Sequence, residues 1–352
     1  MNRRWICNDL LMDMFPFFDR PQLGLKLALL SPRFNALVDK HFDGKTELTI
    51  WRQITIDEKG TNAKLSVLIG RKFVHFPLPY RPLPNKIRFN CLFIEYIDHS
   101  VIAFLRANQH IWDKGTNLNL YMNANKSDDQ SIWNALFHEI WPIFVPNIRH
   151  LTFPNGHHLY DLRRYISPTI LIDLTQLVSI NSCLLPDLIA YDGPSASAGQ
   201  ALSKWLNTPT KNGQPKQLIC CGDTSKITEL INDFKEAFLR ATTSSASYII
   251  RIKRYLFEST PVAPFELTNE RTNEMLTLEK EDEYNDVGWQ LKRCQIGATD
   301  QWENKTTDNL NNIHCWLYED SIGPLSPPKA GQMNEESHLE MNPGPSGEQK
   351  KK

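Results

Sequence analysis

The residues of this chain best suited to chemistry sit in a few short stretches, and each has a spacing its chemistry would demand. Asp43–Leu48, DGKTEL, contains a Gly-Lys-Thr of the kind that closes a phosphate-binding loop. That loop needs an earlier glycine at position 39, where this chain has Asp39, so the phosphate reading is rejected. Gly193–Ser197, GPSAS, approaches the Gly-x-Ser-x-Gly of a nucleophile elbow but ends in serine where the sharp turn takes glycine, and it reads as a flexible loop. His157 and His158 are adjacent, so their side chains diverge on a helix or strand, and no further ligand follows at a metal-binding spacing. They read as loop histidines. Asp128-Asp129 and LEKEDEYND, Leu278–Asp286, read as solvated surface turns with no partner carboxylate for acid–base work.

Arg251, Lys253 and Arg254 lie near Tyr248 and Tyr255, a basic and aromatic grouping. Three charges in acidic surroundings release too few counterions to hold nucleic acid, and a half-polar strand accounts for them. The seven cysteines, Cys7, Cys91, Cys183, Cys220, Cys221, Cys294 and Cys315, are odd in number and lack the C-x-x-C spacing of zinc or redox sites. They read as small buried hydrophobes of a reducing compartment. No catalytic, metal or cofactor constellation emerges, and no cofactor is expected.

The totals point the same way. With 39 basic and 40 acidic residues among 352, the net charge is −1, and no global field favours nucleic acid or an anionic membrane. The opening MNRRWICNDLLMDMFPFF starts basic, but Asp9 and Asp13 interrupt what a signal peptide keeps uncharged, so it reads as mature sequence. No apolar run reaches the ~18 residues a membrane span requires. The expectation is a soluble chain, cytoplasmic or nuclear and not secreted, for which the sequons at Asn125 and Asn304 mean little.

Three helices can be written before residue 43. Asn8 suits an N-cap, and Leu10, Leu11, Met14, Phe15 and Phe18 keep a helical spacing until Pro16 ends or kinks the element. Asp19 and Pro21 open a second helix whose Leu23, Leu25, Leu27, Ala28, Leu29 and Leu30 leave no side wholly polar. Ser31 caps a third, with Pro32 in its first turn and Phe34, Leu37 and Val38 on one stripe. About 40 residues cannot bury that much leucine alone, so the cover comes either from the rest of the chain or from a partner protein.

The segment WICNDLLMDMFPFFDRPQLGLKLALLSPRFNALVDKHF, Trp5–Phe42, resembles the F-box, the helical module that docks substrate receptors on the Skp-family adaptor of cullin-RING ubiquitin ligases. The resemblance rests on NDLLMDMF, the Phe18-Asp19 break, QLGLKLALLS, and PRFNALVD with Arg33 and Phe34. Where the family pattern has Leu-Pro before the first helix, this chain has Ile6-Cys7. Further on, FNCLFIEYIDHSVIAFLR, KGTNLNLYM, IWPIF, ALSKWLNTP and PFELTNERTNEML resemble the body of expanded nematode F-box families. The resemblance implies adaptor contacts at Ile6, Cys7, Leu10, Leu11, Phe15, Leu23, Leu29 and Leu30, and a module core of Met14, Phe18, Leu27, Phe34, Leu37 and Val38.

Downstream, ELTIWRQITID and AKLSVLIGRKFVHFPL are β-rich, and the prolines 77, 79, 82 and 84 mark a boundary. From Ile87 to Ala241 short strands alternate with amphipathic helices. Taking Leu118, Leu151, Val178 and Leu218 as equivalent gives intervals of 33, 27 and 40, an irregular β-α repeat of the leucine-rich-repeat kind, with a doubly wound sheet as the competitor. Beyond Thr242 the period becomes two, and YIIRIKRYLF, PFELTN, EMLTLEKE, GWQLKRCQI and NIHCWLYE predict an antiparallel sheet. From Gly323 onward the composition predicts disorder.

The expectation is therefore an α+β chain: an F-box-like helical module (1–47), a β-rich linker region (48–86), a β-α repeat body (87–241), an antiparallel β region (242–320) and a disordered tail (321–352). The resemblance implies a non-catalytic receptor that binds a Skp-family adaptor, and through it a cullin-RING ligase, and holds an unknown protein substrate. The alternative is an adaptor-independent scaffold whose first helices belong to its own core. An enzyme on an α/β body, the third reading, predicts a polar convergent pocket that nothing in the linear sequence indicates.

Overall fold

The structure is a computed structural model, and it describes residues 6–43, 49–51, 54–58, 63–69, 72–85, 88–89, 91–112, 116–122, 133–153, 157–222, 224–244, 246–254, 263–283, 286–297, 311–317 and 325. The fold mixes helix and strand, with an antiparallel portion in its C-terminal part.

The N-terminal helices form much where the sequence places them. Helix α1, Asn8–Met14, stops before Pro16 and passes into a 3₁₀ turn, Phe15–Phe17. Its N-cap is Cys7, one residue before the expected Asn8. The second helix runs as α2, Arg20–Gln22, a wider π-type stretch, Leu23–Leu27, and α3, Ala28–Leu30. Helix α4, Pro32–Phe42, starts as expected: the Ser31 hydroxyl accepts from the Phe34 N–H at 3.3 Å, and Pro32 occupies the first position, where a missing N–H costs nothing.

The strands are β1 (Thr49–Trp51), β2 (Ile54–Glu58), β3 (Ala63–Ile69), β4 (Lys72–Pro77), β5 (Arg88–Phe89), β6 (Cys91–Ile94), β7 (Thr116–Met122), β8 (Ile148–Phe153), β9 (Ser179–Ser182), β10 (Lys216–Gly222), β11 (Tyr248–Arg254), β12 (Phe265–Asn269), β13 (Glu274–Glu283), β14 (Asp286–Gln295) and β15 (Asn311–Leu317). Among the described residues β1 pairs with β5, and the other 13 form one sheet in the order β12-β13-β14-β11-β10-β9-β8-β7-β15-β6-β2-β3-β4. From β11 to β2 every neighbouring pair is parallel; the pairs outside it at both ends are antiparallel.

Between β7 and β11 each new parallel strand is laid beside the last and the order never reverses, as it would in a doubly wound sheet. Right-handed crossovers in one direction put the connecting helices on one face. The helices are α5 (His99–Ala107), a π-type stretch Ala135–Ile140 running into α6 (Trp141–Phe144), α7 (His157–Tyr165), α8 (Ile170–Asp173), α9 (Ala198–Leu206) and α10 (Thr224–Arg240). Strand burial alternates accordingly, with Leu118, Leu151, Ile180, Leu218 and Ile250 fully buried in register across β7 to β11.

That register corrects one equivalence. Ile180, not Val178, is the counterpart of Leu151 and Leu218, so the steps are 33, 29, 38 and 32 from Leu118 to Ile250. Val178 lies two residues earlier, just before β9, and period alone could not separate them.

Other expectations also change. NIHCWLYE does not join the C-terminal meander: β15 runs parallel between β6 and β7. Alternation identifies a strand but not its partner. β11 likewise extends the parallel sheet and pairs antiparallel only with β14. The β-rich region 48–86 is not a linker, because β2 pairs with β6 and the hairpin β3–β4 forms the sheet edge. Nor is the proline segment a break: the Leu83 N–H donates at 2.8 Å to the side-chain oxygen of Asn108, whose amide donates to the Phe104 carbonyl at 2.8 Å. The histidine pair opens α7 instead of a loop, and His158 is buried beside Trp133. Most of LEKEDEYND belongs to β13.

The acidic pair Asp128-Asp129, the sequons, residues 44–48 of DGKTEL, Tyr255 and the predicted disordered tail apart from exposed Leu325 lie outside the described residues.

Candidate functional site

Leu10 and Met14 lie one turn apart on α1, Ile6 comes just before the extended cap residue Cys7, and Phe17 ends the 3₁₀ turn; all four are exposed, Phe17 at 88%. Leu11 and Phe15 project to the opposite side and are buried at 6% and 1%. A free-standing amphipathic helix turns charge to water. This one turns an apolar stripe outward, edged by the exposed Asp9 and Asp13.

The stripe is held by the start of α4. Arg33 donates to the Asn8 Oδ1 from Nε at 2.9 Å and from Nη2 at 2.7 Å, and Nη2 also donates to the Ile6 carbonyl at 2.5 Å. The guanidinium thus fixes the first turn of α1 beside the α3–α4 junction, where Leu30 is 63% exposed. A T-shaped contact of Phe15 with His41, at 5.6 Å between centroids, joins the interior side of the turn to the end of α4.

The second helix divides its leucines between two neighbours. Leu23, Leu25 and Ala28 are buried, and Lys26 places its ammonium 5.3 Å from the centre of the Phe76 ring on β4. The second helix therefore touches the sheet as well as its helical neighbours. Of the residues expected at the adaptor, Ile6, Cys7, Leu10 and Leu30 lie on the surface, Leu29 is half-buried, and Leu11, Phe15 and Leu23 lie inside. Of those expected in the module core, Leu37 and Val38 are buried and Leu27 and Phe34 half-buried, whereas Met14 and Phe18 face solvent. Helical spacing ranks residues by direction but cannot say which side another element will cover. Phe17 was missed for that reason, although its place at i+3 from Met14 was there to be counted.

A second surface is the sheet face opposite the helices. There Asn117, His150, Ser179, Gln217 and Ile249 stand side by side on consecutive strands, and Asn119, Thr152, Asn181, Ile219 and Arg251 form the next row. Amides and hydroxyls dominate where the covered face is aliphatic. On the meander the rows end in Lys292 and Gln290, with Lys292 donating to Glu279 at 3.0 Å. Arg251 and Lys253 share this face, as expected; Tyr248 points the other way and is buried, its hydroxyl pKa pushed up to about 12 by burial.

The remaining chemistry-bearing residues have structural surroundings. Ser197 of GPSAS caps α9: its Oγ accepts from the Gln200 N–H at 3.0 Å, and the Gln200 side chain accepts from the Ser197 N–H at 2.8 Å. Cys220 and Cys294 are buried, Cys91, Cys183 and Cys221 half-buried and Cys7 exposed, so the cysteines are not uniformly interior. Among the described residues no three His, Cys, Asp or Glu side chains gather to hold a metal ion, and no helix is long and apolar enough to cross a membrane.

No family model matches the chain, and neither a curated protein nor a solved structure matches it.

Proposed function

We propose that the chain is a non-catalytic substrate receptor of an SCF-type (Skp, cullin, F-box) ubiquitin ligase, docking on a Skp-family adaptor through its N-terminal helices. The observation that carries this reading is the outward apolar stripe Ile6, Leu10, Met14 and Phe17, with Leu30 exposed beyond the Arg33 tie. Such a stripe gains from desolvation when a partner covers it: at about 25 cal/mol per Å² even a few hundred Å² of apolar surface is worth several kcal/mol before association costs. The one-directional run of strands from β7 to β11 supports a body of the degenerate leucine-rich-repeat kind. It would act by proximity, raising the effective concentration of a bound protein near the ubiquitin-charged enzyme.

The test is capture of the intact chain by a purified Skp-family adaptor, with Leu10→Asp/Phe17→Asp as the variant. Both positions are on the surface, so the variant folds, and binding falls at least tenfold. No binding by the native chain, or equal binding by the folded variant, overturns the reading.

A second reading, an adaptor-independent scaffold, is favoured by the burial of Leu23 and Leu25 and by the contact of Lys26 with Phe76 on β4. On that reading the helices are a core layer, and the same experiment gives no capture.

A further inference from the structure

We propose that Cys183 and Cys221 form a reversible dithiol–disulfide site at the C-terminal ends of β9 and β10. Parallel β9 and β10 align Ser179 with Gln217, Ile180 with Leu218 and Asn181 with Ile219. Two residues beyond the last paired position, Asn181 with Ile219, come Cys183, in the bend that follows β9, and Cys221, still on β10. Neighbouring strands lie about 4.8 Å apart, within the Cα separations that disulfides span.

Three further observations bear on the pair. Both residues are half-buried, so a small oxidant reaches them, whereas Cys220 is fully buried on the helix-covered side. Cys220 interacts electrostatically with both Cys221 and Cys183. The chain after Cys183 also stays at this strand end: a Leu185 methyl lies 3.1 Å from where a Cβ on Gly222 would stand.

The chemistry balances with a low-molecular-weight disulfide such as oxidised glutathione. Lys253 is the register partner of Cys221 on β11. The Cys221 thiolate attacks the small disulfide, forming a mixed disulfide and releasing one glutathione thiolate. The Cys183 thiolate then attacks the Cys221 sulfur and expels the second. Two protein thiols are oxidised to one disulfide, and the small disulfide is reduced to two thiols.

Reversibility follows from geometry. A disulfide closed outside its preferred Cα and Cβ separations is strained and easier to reduce. Cys183 lies at the bend just after β9, where the chain can shift to allow closure.

The intact chain is incubated with oxidised glutathione and digested, and the peptides are sequenced by mass spectrometry. The expected product is one linked pair, Cys183 with Cys221, lighter by two hydrogens, lost in Cys183→Ser and in Cys221→Ser and reopened by reduced glutathione. A link from Cys183 to Cys220, glutathione adducts alone, no modification, or a link that reduced glutathione leaves closed overturns the proposal. The serine variants conserve size, and matching circular dichroism confirms that loss of the link is not loss of the fold. Neither outcome depends on adaptor binding.

Discussion

Arg33 grips Asn8 by two nitrogens on one oxygen, joining the start of α4 to the first turn of α1 across 25 residues of sequence. Asn8 is exposed and Arg33 half-buried, so the tie contributes modestly to global stability, roughly 0.5–1.5 kcal/mol for a hydrogen-bonded contact. Its effect is on orientation: it decides where the apolar stripe points. Arg33→Lys removes the planar fork and leaves a point charge. The expected result is a change in unfolding free energy below about 1 kcal/mol, with faster amide exchange confined to α1 and weaker adaptor capture.

Phe15 and Phe17 are two residues apart and lie on opposite sides of the same turn. Phe15→Ala opens a cavity in the interior and costs about 3–5 kcal/mol. Phe17→Ala stays within about 0.5 kcal/mol of the native value. Denaturant unfolding of the two variants measures the contrast, and equal losses would show that the turn is oriented differently.

Lys216 gives a pH signature. It is buried on the helix-covered side of β10, its ammonium 4.9 Å from the centre of the Trp205 ring and donating to the Trp205 carbonyl, and burial lowers its pKa from 10.5 to about 8. Between about pH 8 and 10.5 the unfolded chain therefore binds more protons at this position than the folded one. The Lys216 contribution to stability then rises with pH across that window and is flat below it. Denaturant midpoints measured from pH 7.5 to 10, as the difference between the native chain and Lys216→Met, are expected to drift in favour of the native chain as pH rises. A constant difference contradicts the lowered pKa.

The sequence disclosed most where one physical rule acts alone. Ser31-Pro32 is a helix start because a hydroxyl acceptor and a residue without an N–H both satisfy the first turn, whatever packs later. The strands β7 to β10 were legible because alternation survives in short runs. What failed were questions of partnership. Nothing local in NIHCWLYE says that β6 and β7 will receive it, and nothing in MDMFPFF says which side of α1 is left uncovered. The rows of amides on the open sheet face were hidden for a related reason: Asn117, Ser179 and Gln217 become neighbours only through register across widely separated strands.

β15 sits between β6 and β7, and each of those strands pairs with it and not with the other. Because a chain is made from its N-terminus, this has a consequence in time. Asn311 leaves the ribosome 189 residues after Met122, the end of β7 (311 − 122). At the usual 5–20 residues per second the interval is roughly 10–40 s. Throughout it, two parallel strands wait with open hydrogen-bonding edges, the condition under which nascent chains pair with the wrong neighbour. The last strand among the described residues is the one that closes the sheet, so a ribosome that stops short of residue 311 releases a chain whose two sheet halves lack the strand that joins them.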